Sequence, residues 1–405
     1  MATKTRCFAT VKALKRLNPE LLCATLRKFP EYLKERGLKL PRVINDDNMP
    51  YEEIRTACMS GGIPPELDDL LFLVCALGTT DGWERIKAEA RFQELNLDFK
   101  TAGFTSADLV MKAWLHDWPR NRQLLELSYA RAKIHSRSSY VYYVPMHDVR
   151  ANYRTPTSAA IDQLRESLSA YFIAQGMGRG TNVMKYDFEK EIWFLVRYPG
   201  QIERYAAISD TGEPTSYVFK PEEYDAIVYH KEFGDLRLNT NRKAEHTRYR
   251  IDFSRMLLNE HNVFDPKYKA INLDPLLGDC ASLFHCKDVA GLAEIVPVEL
   301  RYASITYPDL TITLKASGDS HLLIYDISSR NMMGDPGAHS VQSAKFRYRC
   351  TNSTRYHSLT VHTGRVLTYE RDGDSSVLEE WLRSRCFITS RLDSPTHVER
   401  AIPSN

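Results

Sequence analysis

Gly176-Met177-Gly178-Arg179-Gly180 packs three glycines into five residues. Glycine-rich loops cradle phosphates when a strand enters them and a Lys-Ser/Thr pair then opens a helix. Here a helical pattern precedes the glycines and strand-like sequence follows. The cluster therefore reads as a helix terminus with a loop. Arg179 and the nearby Lys185 leave one role in view, contact with the phosphate backbone of a nucleic acid.

Cys280, His285 and Cys286 offer thiolate and imidazole, the donors zinc favours, but a structural zinc site needs four ligands in paired spacings and no second pair follows. His357 and His362 flank a strand at odd spacing, which directs them to opposite faces and away from a shared metal. Asp81 with Asp98-Phe99-Lys100 is the nearest approach to a nuclease carboxylate-lysine pattern. It falls in helical sequence, without the strand pair such a site requires. G-x-S-x-G, H-E-x-x-H and a dinucleotide fingerprint are missing from the sequence. No metal and no cofactor are expected, catalytic residues are unassigned, and the balance leans away from an enzyme. A hydrolase or metal-dependent nuclease with dispersed residues is the third reading, placed near Asp225, His230 and Glu232.

Charge distribution says more than motifs. The first forty or so residues are basic, from Lys4 and Arg6 to Arg42, and the helices that follow reverse the sign through Asp46 to Glu89. Basic character returns at Arg120, Arg122, Arg131, Lys133, Arg137, Arg150 and Arg154, interleaved with Tyr140, Tyr142, Tyr143 and Tyr153. Cations beside aromatics can grip phosphates and stack bases. With Arg179 and Lys185, these residues form the expected nucleic-acid contact. The bland alternative is that the arginines solvate helices while the tyrosines pack between domains. The sign reversal also suits a pure protein-interaction adaptor, because complementary charge sets specificity and association rate.

Several kinds of element must position these groups. Up to residue 137 the pattern is helical and heavily punctuated. Asn18 caps a helix beginning at Pro19, Pro64-Pro65 opens an apolar one, and Thr105 to Asp108 forms a capping-box-like start with Asp in place of Glu or Gln. Residues 138–157 are rich in Ser, Tyr and Arg and read as a hinge with one short strand, Tyr140–Val144. Ser158 caps a helix carrying Ile161, Leu164, Leu168 and Phe172 at core spacing. Glu191–Ile208 then reads as a hairpin turning at Pro199-Gly200. Its first strand is apolar on both faces and central, and its second lies nearer an edge. Further hairpins follow at Tyr224–His230 with Leu236–Thr240, and at Val298–Thr306 with Thr311–Lys315. His321–Ile327 is ambiguous between strand and helix. Lys345–Thr351, His357–His362 and Arg365–Glu370 form a meander, and Ser375–Cys386 a closing amphipathic helix. Hairpins outnumber βαβ patterns, which favours an antiparallel sheet.

The fold class expected is therefore α+β: an all-helical domain over 1–137, a linker over 138–157, a mixed domain of antiparallel hairpins and packed helices over 158–390, and a flexible tail over 391–405. A chain of 405 residues can bury two cores. Its net charge of +2 predicts no partner by bulk charge. Eight scattered cysteines without C-x-x-C, no apolar run long enough to span a bilayer and no signal-like start point to reduced thiols, no membrane partner and a cytoplasmic location. The leading function expected is a non-enzymatic subunit of an intracellular, microbial multi-protein assembly that contacts DNA or RNA and other protein subunits. A setting in genome maintenance or antiviral defence is attached by context alone and rests on no residue.

Overall fold

Ile192 to Val196 are β-branched, aromatic or aliphatic and are buried at every position. Only a strand covered on both faces hides such a run. In the computed structural model this strand, β3, spans Glu191–Pro199 and lies in a ten-stranded antiparallel sheet. The structure describes residues 8–45, 48–95, 97, 102–116, 121–135, 138–208, 212–240, 242–277, 281–305, 309–316, 339–351, 353–369 and 375–389. The chain divides into two compact units, Met1–Ile134 with Arg204–Val218, and His135–Glu203 with Phe219–Asn405. The described architecture is α+β, with helices first and a mixed region after them. No helix among the described residues is long and apolar enough to cross a membrane.

The first unit holds eight helices among its described residues: α1 Val11–Leu14, α2 Pro19–Leu26, α3 Pro30–Glu35, α4 Tyr51–Met59, α5 Pro65–Leu77, α6 Thr80–Phe92, α7 Ser106–His116 and α8 Asn121–His135. In this unit Asn18 and the Thr105–Asp108 pair act as the caps read from sequence. Asn18 Oδ1 accepts the Leu21 N–H at 3.0 Å. Thr105 and Asp108 exchange bonds, the Asp108 N–H reaching Thr105 Oγ1 at 3.2 Å and the Thr105 N–H reaching Asp108 Oδ2 at 2.8 Å. The second oxygen of the buried Asp108 accepts the Asn18 N–H at 2.7 Å and so ties the starts of α2 and α7 together. The unit also contains most of a two-stranded ribbon, β4 Glu203–Ile208 and β5 Pro214–Phe219.

In the second unit the sheet order is β2-β3-β6-β7-β1-β12-β11-β10-β8-β9. The strands are β1 Ser139–Tyr143, β2 Asn182–Asp187, β6 Glu222–His230, β7 Leu236–Asn239, β8 Leu292–Ser304, β9 Thr311–Lys315, β10 His339–Cys350, β11 His357–His362 and β12 Val366–Tyr369. Among the described residues, three α-helices pack with them: α9 Ser158–Ala174, α10 Lys243–Leu258 and α11 Ser375–Ser384. The hairpin expected over Glu191–Ile208 does not form. β3 pairs with β2 on one side and β6 on the other, so both of its hydrogen-bonding edges are taken. β4 leaves the sheet after Pro199-Gly200 and pairs with β5. The short strand of the expected hinge is central, since β1 joins the two halves of the sheet by pairing with β7 and β12. The cap of α9 is Thr157, one residue before Ser158, its side chain accepting the Ala160 N–H. His321–Ile327 and the tail after 391 lie outside the described residues.

Period-two alternation sorts the side chains onto two faces. One face of the first half-sheet is covered by α9 and α10, with Phe172 stacked on Tyr198 at 4.1 Å and Phe253 edge-on to Phe194 at 4.9 Å. α11 lies on the other face, where Trp381 meets Phe346 at 5.7 Å.

Arg237 sits on that second face with no exposed surface. Its guanidinium meets Glu191 at 2.6 Å, Asp235 at 2.8 Å and Glu379 of α11 at 2.7 Å. Tyr142 donates to Glu379 at 3.0 Å, and Tyr369 donates to the same oxygen. Arg383 closes the network on Asp235 at 2.7 Å and stacks over Phe233. Burial alone would raise the Asp235 carboxyl, but Arg237 and Arg383 hold it well below the usual range. Burial alone would lower Arg237, but Glu379, Tyr142, Asp235 and Glu191 keep its proton firmly in place. Removing one partner from a buried ion network strands the remaining charges. Arg237→Met is expected to lower unfolding free energy by about 3–5 kcal/mol. Glu379→Gln, which keeps an acceptor for the two tyrosines, is expected to lose less. Urea denaturation of both variants checks the order; equal small losses would show that the network does not hold the sheet.

Candidate nucleic-acid interface

The described residues expected to contact phosphate are divided between the two units. Arg120 and Arg137 lie outside the described residues, and Arg122 falls within α8. In the first unit, Arg131 is engaged with the buried Glu89 at 3.4 Å, and the Lys133 ammonium lies 5.0 Å from the Tyr129 ring. In the second unit, Arg150 forms a forked pair with Asp148, and that pair pulls the carboxyl down to about 2. Lys185 donates to the Pro156 carbonyl at 3.2 Å and anchors that segment. Arg154 and Arg179 are exposed. Among the expected tyrosines, Tyr140, Tyr142 and Tyr143 are buried in β1, and Tyr153 stacks on Tyr229 at 5.4 Å.

The glycine cluster does not cradle an anion. Lys220 donates to the carbonyls of Gly176 at 3.1 Å and Met177 at 2.5 Å, so the loop turns oxygens towards a cation of its own chain. Gly178 adopts φ 111°, and a Cβ there would stand 2.9 Å from the Lys220 nitrogen. Cys280 and Asp98-Phe99-Lys100 lie outside the described residues. Cys286 rests near the Phe284 carbonyl, and burial raises its thiol. No group of three metal-binding side chains forms among the described residues.

Asp225 lies apart from His230 and Glu232, which line one cavity. Alternation along β6 puts Asp225 under α10, where it accepts from Tyr249 at 2.8 Å, and sends His230 to the opposite face. Glu232 pairs with Lys190 at 3.7 Å. His230 borders a cavity of about 640 Å³ beside the Arg237 network, with Phe188, Glu191, Phe233 and Arg383. Burial and the nearby Arg237 lower the His230 pKa, and its Nδ1 accepts the Phe233 N–H at 3.4 Å.

A different basic surface emerges on the second half of the sheet. Ser139, Thr368, Thr360, Lys345, Glu299 and Lys315 form one register row across six strands, from β1 through β12, β11, β10 and β8 to β9. Every residue of this row is exposed or half-buried. The adjacent row, Tyr140, Leu367, Val361, Ala344 and Leu300, is buried on the α11 side. The polar face is thus set by alternation in each strand, and β10 contributes most to it. Lys345, Arg347 and Arg349 alternate with the buried Phe346, Tyr348 and Cys350. Arg301 of β8 lies in the next polar row, paired with Ser343 and Thr313.

Tyr356, 40% exposed, lies over this face from the segment before β11. Arg347 stands 4.3 Å and Arg349 5.6 Å from its ring centroid. Its hydroxyl donates to Glu294 at 2.7 Å, and Arg349 meets the same carboxylate at 3.5 Å. Glu299 pairs with Lys315 at 3.2 Å. Among the described residues, five cations against two carboxylates leave the face net positive. The period-two run Lys345-x-Arg347-x-Arg349 was a readable signal. It is easily overlooked because its neighbours in space come from distant parts of the chain.

On α10, two adjacent residues have opposite acid–base character. Burial raises Glu245 to about 7, with Asp225 adding to the rise and Arg242 opposing it. Burial lowers His246 to about 4, reinforced by Arg250, Arg365 and Lys243, and its Nδ1 shares a hydrogen bond of 2.9 Å with the Tyr143 hydroxyl.

A scan of the chain against models of known protein families finds no match, and neither does a search of curated proteins.

The Glu245–His246 pair predicts compensating pH effects. Native Glu245 keeps a proton that the unfolded chain releases, so its contribution falls as pH rises from 4.5 to about 7. Native His246 refuses a proton that the unfolded chain binds, so its contribution rises with pH from about 4 to 6.5. Relative to the wild type, Glu245→Gln is expected to gain stability as pH increases through that window, and His246→Gln to lose it. Urea midpoints across the window test both signs; parallel profiles for all three proteins would contradict the assignment.

Proposed function

We propose that this chain is a binding subunit of an intracellular assembly that contacts nucleic acid through the open face of β8–β12. The observation that carries this reading is the polar face itself, with Lys345, Arg347, Arg349, Arg301 and Lys315 spread over neighbouring strands. Phosphate contact needs cations on a continuous surface, and a rigid sheet presents them without the entropy cost of ordering a loop. Hydroxyls at Ser358, Thr360 and Thr368 add further donors to the same face. Arg131, Arg150 and Lys185 serve partners within the chain, as Arg349 and Lys315 also do, and this face is preferred because its cations stand on neighbouring strands of one sheet.

The salt dependence of oligonucleotide binding provides the test. Lys345→Gln with Arg347→Gln is expected to weaken binding and to reduce the slope of log affinity against log salt by about 2, one for each lost phosphate contact. Arg154→Gln with Arg179→Gln is expected to leave the slope unchanged. The reverse result would move the interface to the hinge.

The ribbon favours a second reading, a protein-contact adaptor. Tyr205, Ile208, Tyr217 and Val218 are between 56% and 75% exposed, an apolar display that marks interaction surfaces. Tyr205→Glu with Tyr217→Glu is expected to leave oligonucleotide binding intact while abolishing co-purification of any protein partner. Loss of oligonucleotide binding instead would place the nucleic-acid contact on the ribbon.

A further inference from the structure

The spacing of the cations and the position of Tyr356 narrow the ligand. Resting on the nucleic-acid reading above, we infer that the open face takes a single strand, running along β10 with one base stacked on Tyr356.

Three observations support this. Lys345, Arg347 and Arg349 are two residues apart along one strand, which spaces them about 7 Å apart in a straight line. An extended single strand spaces its successive phosphates comparably. A duplex presents its phosphates on two helical ridges, and a single line of cations on a sheet follows neither for long. The surface is also broad: the polar rows run through as many as six strands, about 24 Å from edge to edge. Bases turned away from β10 would therefore lie over Ser358, Thr360 and Thr368, whose hydroxyls can bond any base edge. Finally, Arg347 and Arg349 occupy the neighbourhood of the Tyr356 ring, while its bond to Glu294 fixes the ring's orientation. The ring is 40% exposed. A base on the exposed ring surface would extend a guanidinium–aromatic stack already in place, which is how sequence-tolerant single-strand binders use aromatics.

The test uses the full chain with labelled oligothymidylate and oligouridylate in a length series, and with a duplex of matched length, at low and moderate salt. Single strands are expected to bind more tightly than the duplex. Tyr356→Ala is expected to weaken single-strand binding roughly 5- to 150-fold, the range for losing one stacked base, with an unchanged salt slope because stacking releases no counterions. Tyr356→Phe, which loses the Glu294 bond and keeps the ring, is expected to retain most of the affinity. Equal or tighter duplex binding would overturn the single-strand inference and leave the nucleic-acid reading standing. Single-strand binding unaffected by Tyr356→Ala would overturn the stacking role alone. No binding of either form at low salt would overturn both.

Discussion

A single buried cation holds the second unit in register. Arg237 lies in β7, receives Glu191 from β3, Asp235 from the preceding turn and Glu379 from α11, and has no contact with solvent. A guanidinium in such a place is tolerable only when its planar fork is met by carboxylates in fixed positions. That requirement couples sheet register to helix position. A slip of β7 by one residue would turn Arg237 towards the α10 side, take the counter-charge from Glu191 and Glu379, and leave Asp235 with Arg383 alone. Tyr142 and Tyr369 extend the constraint into β1 and β12, so the strands that join the two halves of the sheet are fixed by the same network.

The open face follows from this arrangement. α11 is committed to the network side, and α9 with α10 cover only the first half of the opposite side. The remaining strands are left with one buried face and one polar face, the usual division in antiparallel sheets. Nothing in the hydrophobic effect requires Lys345, Arg347 and Arg349 at the polar positions; hydroxyl or mixed-sign residues would serve folding equally well. Their concentration on one strand, beside an aromatic ring, is what separates this surface from an ordinary solvated one.

The residues of the chemical motifs hold partners within the chain. The glycine cluster closes α9 and receives Lys220, Arg150 folds back on Asp148, and β6 divides Asp225 from His230. Each pattern was visible in the sequence, and of the three the glycine cluster took its partner, Lys220, from far along the chain. The hinge illustrates the same point. Tyr140–Val144 was legible as a strand from its run of tyrosines and valines, residues that favour strands. Its place at the centre of the sheet was not, since pairing with Leu236–Leu238 and Val366–Thr368 spans more than ninety residues in one direction and two hundred in the other.

Local physics decided what the sequence could determine alone. Helix starts at Pro19 and Ser106 follow from side chains within three residues of the backbone groups they cap, and the two-sided burial of Ile192–Val196 follows from composition along one strand. The α+β class and the antiparallel character follow from similar short-range signals. Only the tertiary structure decided that β3 rejects its expected hairpin partner, that β4 and β5 form a separate ribbon, and that five basic residues from three strands share one face. Those outcomes depend on which edges are occupied and which strands become neighbours. Such competition is settled by the whole sheet and by the buried Arg237 at its centre, and no window of sequence contains it.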